Sequence, residues 1–215
     1  MAAKSAKRAF TSVKKKNPSQ TQKSFSTDLP PFDLSNLDNL RDIYLNKVKS
    51  SLKGKYALND FAIPEIEKIS LTTTPGVQSM SDKGYVQILT ESFGRICAQK
   101  PMLVKAKKSI STFKVKEGMP AGLKVTLRKR QMYNFLTRLV YITLPRIRDF
   151  KGLSASALDE GFNFNIGIAD CSAFHEVDVI KLNKTFGLNI SIHVKNANSR
   201  EQVIDLLRGL LIPVW

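Results

Sequence analysis

The 215-residue chain holds only two cysteines, two histidines and one tryptophan. Cys97, Cys171, His175 and His193 are too few and too scattered for a zinc cage, which takes four close nitrogen or sulfur ligands. At 24.1 kDa the chain can bury a core without disulfides, so both thiols read as small apolar fillers. Long apolar runs are missing too. The longest stretch without Asp, Glu, Lys or Arg is the thirteen residues from Ile69 to Ser81, broken by Pro75 and Gly76, whereas a membrane span needs about 18 apolar residues. No membrane partner is expected. Catalytic patterns are equally scarce: there is no Gly-rich phosphate loop, no G-x-S-x-G and no H-E-x-x-H. His175 and Glu176, read as strand neighbours on opposite faces, make no general-base pair, and His193 reads as a solvated or hydrogen-bonded residue on the polar face of a strand. Neither enzymatic activity nor a cofactor is expected.

Acid is absent from two segments, and this locates the charge. The net charge of +16 points to a polyanionic partner, nucleic acid before anionic membrane. Residues 1–27 hold seven basic residues and no acid, and residues 95–151 hold fifteen basic residues against Glu117 and Asp149 alone. The remaining segments, 28–94 and 152–215, are each slightly acidic. An ordinary surface mixes signs to limit self-repulsion, so the central block reads as a phosphate-binding surface. It combines Lys100, Lys105, Lys107, Lys108, Lys114 and Lys116 with the amide of Gln99 and the hydroxyls of Ser109, Ser111 and Thr112. Such residues neutralise phosphates and fix register on a nucleic-acid backbone. Few aromatics are predicted to be exposed, which favours recognition of structured RNA by backbone and shape.

The segment over 1–35 is predicted to be a basic extension, disordered alone, because it has too few large apolar residues to offset its ordering entropy. A targeting segment, an arm that orders on RNA and a plain solvating tail all fit its composition. The rest, 36–215, reads as one domain. A helix is predicted from Leu34, with Leu37, Leu40, Tyr44 and Val48 inward, Ser35 as cap and Gly54 as stop. A strand is expected over Glu65–Thr72 and a helix over 81–98 with Tyr85, Ile88, Leu89 and Ile96 inward. A short strand, Met102–Lys105, follows. Then comes a hairpin of Phe113–Lys116 and Leu123–Arg128 around the turn 117–122, with Phe113, Val115, Leu123, Val125 and Leu127 on an apolar face and Lys114, Lys116, Lys124, Thr126 and Arg128 on a cationic one. A helix over 131–144 buries Met132, Phe135, Leu136, Leu139 and Val140. Two alternating strands (Phe162 to Ile168 and Leu188 to Val194) and a helix over Arg200–Leu211, capped by Ser199 or Asn198, complete the chain. The predicted class is α+β, an antiparallel sheet with helices packed on one face.

Several strings are idiosyncratic: AQKPMLVKAKKSISTFKVKEGMPAGLKVTLR (98–128), LPRIRDFKGLSASALD (144–159), IPEIEKISL (63–71), FNFNIGI (162–168), FHEVD (174–178) and FGLNISIHV (186–194). Taken in chain order they closely resemble the large-subunit ribosomal proteins of the L-five family, bacterial type, from about Leu40 to Leu211. The resemblance implies a structural protein of the central protuberance that binds 5S rRNA and a nearby hairpin of large-subunit rRNA, and no homo-oligomer. Carried over by motif, the rRNA-binding residues are Thr72, Gln99, Lys100, Lys105, Lys107, Lys108 and Thr126. A loop from Phe113 to Gly122, with Lys114, Lys116 and Gly118, is implied to face P-site tRNA. Arg146, Arg148 and Lys151 are implied to lie toward a small-subunit protein across an intersubunit bridge. The chain departs from the family pattern at Thr72, where the family usually has asparagine, at Val104, where threonine is usual, and at His175, where proline is usual. With the basic extension, the departures at Thr72 and Val104 suggest a mitochondrial ribosome, with a plastid or the bacterial cytoplasm as alternatives.

Overall fold

The computed structural model of the chain describes residues 39–76, 82–178 and 185–215. Five strands form a single antiparallel sheet in the order β2-β3-β1-β5-β4, with β1 Glu65–Thr73, β2 Met102–Lys105, β3 Pro120–Leu127, β4 Asn163–Ile168 and β5 Leu188–Lys195. Period-two patterning gives the sheet two unlike faces. Ile69, Leu71, Leu123, Val125, Leu127, Phe164, Ile166, Ile168, Leu188, Ile190 and Ile192 are buried on one side, and four helices cover them. Ile66 joins this face although it lies three residues before Ile69, because the β1–β5 register shifts between Ile66 and Lys68. The bulge inserts one extra residue and restores alternation.

Helix α1 is continuous through Leu40–Ile43, a π-helical turn Tyr44–Val48, and Lys49–Tyr56. The described cap is Asn39, whose side chain accepts from Arg41 N at 3.1 Å; Ser35 and Leu37 lie outside the described residues, as does the whole extension over 1–35. Gly54 does not stop this helix. The last turn continues past it because Lys55 and Tyr56 are tied to Asp205, at 2.5 Å and 2.6 Å, and Ala57 then ends it in the left-handed region at φ 49.

Helix α2, Lys83–Cys97, is capped by Asp82 and buries Tyr85, Leu89, Phe93 and Ile96. Helix α3 runs through Lys129–Arg138, a π turn Leu139–Thr143 and Leu144–Arg146. The π turn has a local cause: Pro145 offers no N–H to the preceding turn and its ring crowds the carbonyl four residues back. All five residues expected inward on this helix, Met132, Phe135, Leu136, Leu139 and Val140, are buried. Helix α4, Arg200–Gly209, is capped by Ser199, whose Oγ accepts from Gln202 N at 3.4 Å.

Strand expectations fail at three places. Residues 113–116 are not a strand: β3 pairs with Met102–Lys105 instead, Leu103 opposite Leu123, and Phe113 is 69% exposed rather than part of an apolar face. Nor is 175–176 a strand. Both residues lie in a turn, where the half-buried Glu176 pairs with Arg138 while His175 faces solvent. Phe162 also falls just outside β4, in a left-handed bend at φ 60.

Candidate nucleic-acid interface

Among the described residues the sheet's second face carries no helix and no Phe, Tyr or Trp side chain. Cross-strand register arranges it in rows, since directly opposite residues in an antiparallel ladder share a face. One row reads Met102, Lys124, Thr72, Asn189, Gly167 across all five strands, and the next reads Thr126, Ser70, Ser191, Asn165. Lys68, His193 and Asn163 form a third. These residues are half-buried or exposed. Small hydroxyls and amides thus form a flat hydrogen-bonding surface, with lysines along it.

Thr72 and Thr126 sit in this face, in adjacent rows across β1 and β3. Thr73, the next residue after Thr72, turns to the other face: it is buried and its hydroxyl donates to Gly187 O at 2.7 Å. Gln99 and Lys100 are exposed between the end of α2 and the start of β2, where Ala98 turns the chain through the left-handed region at φ 52. They lead into β2, the edge strand of the sheet. Lys105 ends β2 opposite Pro120.

Lys107 and Lys108 lie at the root of an arm, residues 106–119, which projects from the β2–β3 connection. Ala106 N donates to Met119 O at 2.8 Å and Gly118 N to Ala106 O at 3.0 Å, closing the base. Ile110 and Val115 exchange both backbone hydrogen bonds, 2.9 Å and 3.1 Å, around the turn 111–114. Phe113, Lys114 and Lys116 are exposed along the arm, and Gly118 takes φ 80 at its base. Gly122 does not belong to it. It lies within β3, where a Cβ would come 2.3 Å from Thr73 O, so glycine is there for close backbone approach.

Pairing separates spare cations from structural ones. Arg128 pairs with Glu67 at 3.0 Å, and Arg138 pairs with Glu176 and donates to Ile96 O at 2.9 Å. Among the described residues Lys100, Lys105, Lys107, Lys108, Lys114, Lys116 and Lys124 have no carboxylate within salt-bridge distance. Unneutralised lysines beside a polar platform suit a phosphate backbone. Arg146, Arg148 and Lys151 are brought together elsewhere, around an open cavity of about 820 Å³ that they line with Asp149, Ile166 and Asp170.

Sequence reasoning missed Lys68, Ser70, Asn163, Asn165, Asn189 and Ser191 as members of the face. Their period-two spacing was visible, but only strand order shows that three strands, β1, β4 and β5, pool these residues. Among the described residues no cluster of ligating side chains could hold a metal ion, and no helix is long and apolar enough to cross a membrane.

Residues 120–214 match the family model for the C-terminus of the ribosomal L-five protein family. A large ribosomal subunit protein uL5 from Brachyspira hyodysenteriae is 41% identical over 176 residues, 81% of this chain and 92% of the relative. The uL5 of Halothermothrix orenii is 38% identical over 175 residues, 81% of this chain and 97% of the relative. The uL5 of Vesicomyosocius okutanii is 40% identical over 178 residues, covering 82% and 98%. The chain belongs to the uL5 family. Identity at this level extends over nearly the full length of those relatives. Members of the uL5 family are structural proteins rather than enzymes, in keeping with a site made of hydroxyls, amides and unpaired lysines.

Proposed function

We propose that this chain is a structural component of the large ribosomal subunit that holds rRNA against the open face of its sheet. The observation that carries the reading is the juxtaposition of Thr72, Lys124 and Thr126 on a helix-free face with the unpaired lysines of the β2 edge and arm root. Gln99, Lys100, Lys105, Lys107 and Lys108 extend the footprint, with 5S rRNA or the adjacent large-subunit hairpin as ligand in the central protuberance. The arm, carrying Phe113, Lys114 and Lys116, reaches toward P-site tRNA. Arg146, Arg148 and Lys151 face a small-subunit protein at an intersubunit bridge. The basic extension, together with threonine at 72 and valine at 104, supports an organelle ribosome, mitochondrial in the first place.

Crosslinking the tagged protein to RNA in its native cells by ultraviolet light, with sequencing of the attached RNA and mapping of the peptides, tests this. Reads on 5S rRNA or the neighbouring hairpin from peptides within 95–128 support the proposal; reads spread over messenger RNA would replace it with a free RNA-binding factor. In vitro, Lys107→Ala and Lys108→Ala each lower the slope of log affinity against log salt by about one unit if they contact phosphates.

A further inference from the structure

One place on the open face has every hydrogen-bond role fixed by its neighbours. Asp159, in the turn before β4, accepts from the Asn163 backbone N–H at 2.7 Å and from Asn163 Nδ2 at 3.0 Å. The Asn163 amide is thereby oriented, and its Oδ1 lies 2.8 Å from His193 Nδ1. Oδ1 can only accept, so Nδ1 carries a hydrogen; the neutral ring then keeps its lone pair on Nε2, which accepts from the Ser70 hydroxyl at 3.2 Å. The Ser70 proton is spent inside the protein. What Ser70 shows to the outside is an oxygen, which repels an anion.

The surroundings favour this neutral arrangement electrostatically. Lys68 stands directly opposite His193 on β1, with no carboxylate within salt-bridge distance among the described residues. Lys124 on β3 adds a second cation to the field at the ring. Against them stand Glu67 on β1, already engaged by Arg128, and Asp159. Burial first, then Lys68, holds the imidazole below its usual range. One proton on Nε2 would reverse the chain: Nε2–H donates to Ser70 Oγ, and the Ser70 hydroxyl hydrogen is freed to point outward. Lys68 Nζ and the Ser70 hydroxyl then offer hydrogens on one face beside the charge of the imidazolium, whose own two N–H groups stay engaged by Asn163 and Ser70, and a single anion there would neutralise the lysines that disfavour the imidazolium.

We propose that Lys68, Ser70 and His193 form a binding site for one phosphate of an RNA backbone, and that filling it takes up one proton from solvent at His193. The site rests on the rRNA reading above and extends its footprint from β1 and β3 to β5 and β4.

The test measures binding of the full-length chain to a bacterial 5S rRNA transcript and to a transcript of the adjacent large-subunit hairpin, at constant ionic strength between pH 5.5 and 7.5. The dissociation constant of the unmodified chain is expected to fall as pH falls, by up to about tenfold per pH unit where the slope is steepest. His193→Gln, which keeps a hydrogen-bonding side chain without a charge change, loses that fall; His175→Gln, on the exposed turn, keeps it. Lys68→Gln lowers the salt slope by about one unit. Circular dichroism establishes that each variant is folded, and nuclear magnetic resonance titration of His193 gives the same answer without substitution, its pKa rising when RNA is added. Identical pH profiles for the unmodified chain and His193→Gln, or an unmoved His193 titration, overturn the site. If that happens while Lys107→Ala and Lys108→Ala still weaken binding, the rRNA reading stands alone. If no form of the chain prefers either transcript over a non-ribosomal RNA of equal length, both readings fall.

Discussion

The hydroxyl of Tyr44 on α1 donates to the carbonyl oxygen of Pro64, the residue before β1, at 3.1 Å. Both residues are buried, and the Tyr44 ring lies tilted against Tyr133 of α3 with centroids 6.5 Å apart. Burial pushes both phenols above their ordinary range, Tyr133 to about 12. The bond therefore joins the first helix to the first strand inside the core. Tyr44→Phe leaves the Pro64 carbonyl unsatisfied and is expected to cost about 1–2 kcal/mol. A lower urea midpoint with an unchanged slope is the signature; an unchanged midpoint would mean that packing alone holds α1.

Gly122 and Phe113 provide a test of where β3 ends and the arm begins. Gly122→Ala places a methyl group 2.3 Å from a strand carbonyl and is expected to destabilise by about 1–3 kcal/mol, as overpacking does. Phe113→Ala, on the exposed arm, is expected to change stability by less than about 0.5 kcal/mol. The reverse pattern in thermal or urea unfolding would restore the hairpin that the sequence pattern suggested.

Thiol chemistry follows from burial. Cys97, the buried last residue of α2, is pushed up to about 12, and Cys171 is also raised. Since the thiolate is the reactive species, neither is expected to react with a disulfide reagent at pH 8 in the folded chain, and both react in urea. Rapid labelling of Cys97 without denaturant would contradict the packing described here.

Asp205 joins the end of α1 to α4. The Lys55 ammonium first, and then the Tyr56 hydroxyl, hold its carboxyl below the usual 3.8. A depressed carboxyl contributes stability that is present above the unfolded-state pKa and lost as pH falls through the folded one. Stability is thus expected to decline as pH drops below about 4. Asp205→Asn is expected to begin lower at pH 7 and to lose less between pH 7 and pH 3 by urea titration; parallel losses in the two chains would remove Asp205 from the linkage.

Legibility in the sequence followed range. Asn189, Ser191 and His193 alternate with Leu188, Ile190 and Ile192, so the two-faced character of β5 is written locally, and the five inward residues of α3 follow a helical period. The hairpin failed for an instructive reason. Phe113-Lys114-Val115-Lys116 alternates as well as any strand here, yet four residues hold no strand alone, and Met102–Lys105 competed successfully for β3 by pairing Leu103 with Leu123. Gly54 misled in the same way, because the contacts of Lys55 and Tyr56 with Asp205 span about 150 residues and outweigh a local cost of about 1 kcal/mol for glycine in a helix.

The α+β class, the concentration of cations between residues 95 and 151 and the resemblance that points to a ribosomal protein were legible in the linear chain, since each depends on composition, short-range period or linear strings. Which cations remain unpaired among the described residues, and which residues share the open face, follow from the packed fold alone. Arg128 and Arg138 are cations like Lys107, and nothing local distinguishes them. Their carboxylate partners, Glu67 and Glu176, lie 61 and 38 residues away in the chain. Likewise Ser70, Asn163 and His193 become one hydrogen-bonded chain only because β5 lies between β1 and β4. Strand order is a global property, fixed by which apolar faces bury one another, and no local pattern encodes it.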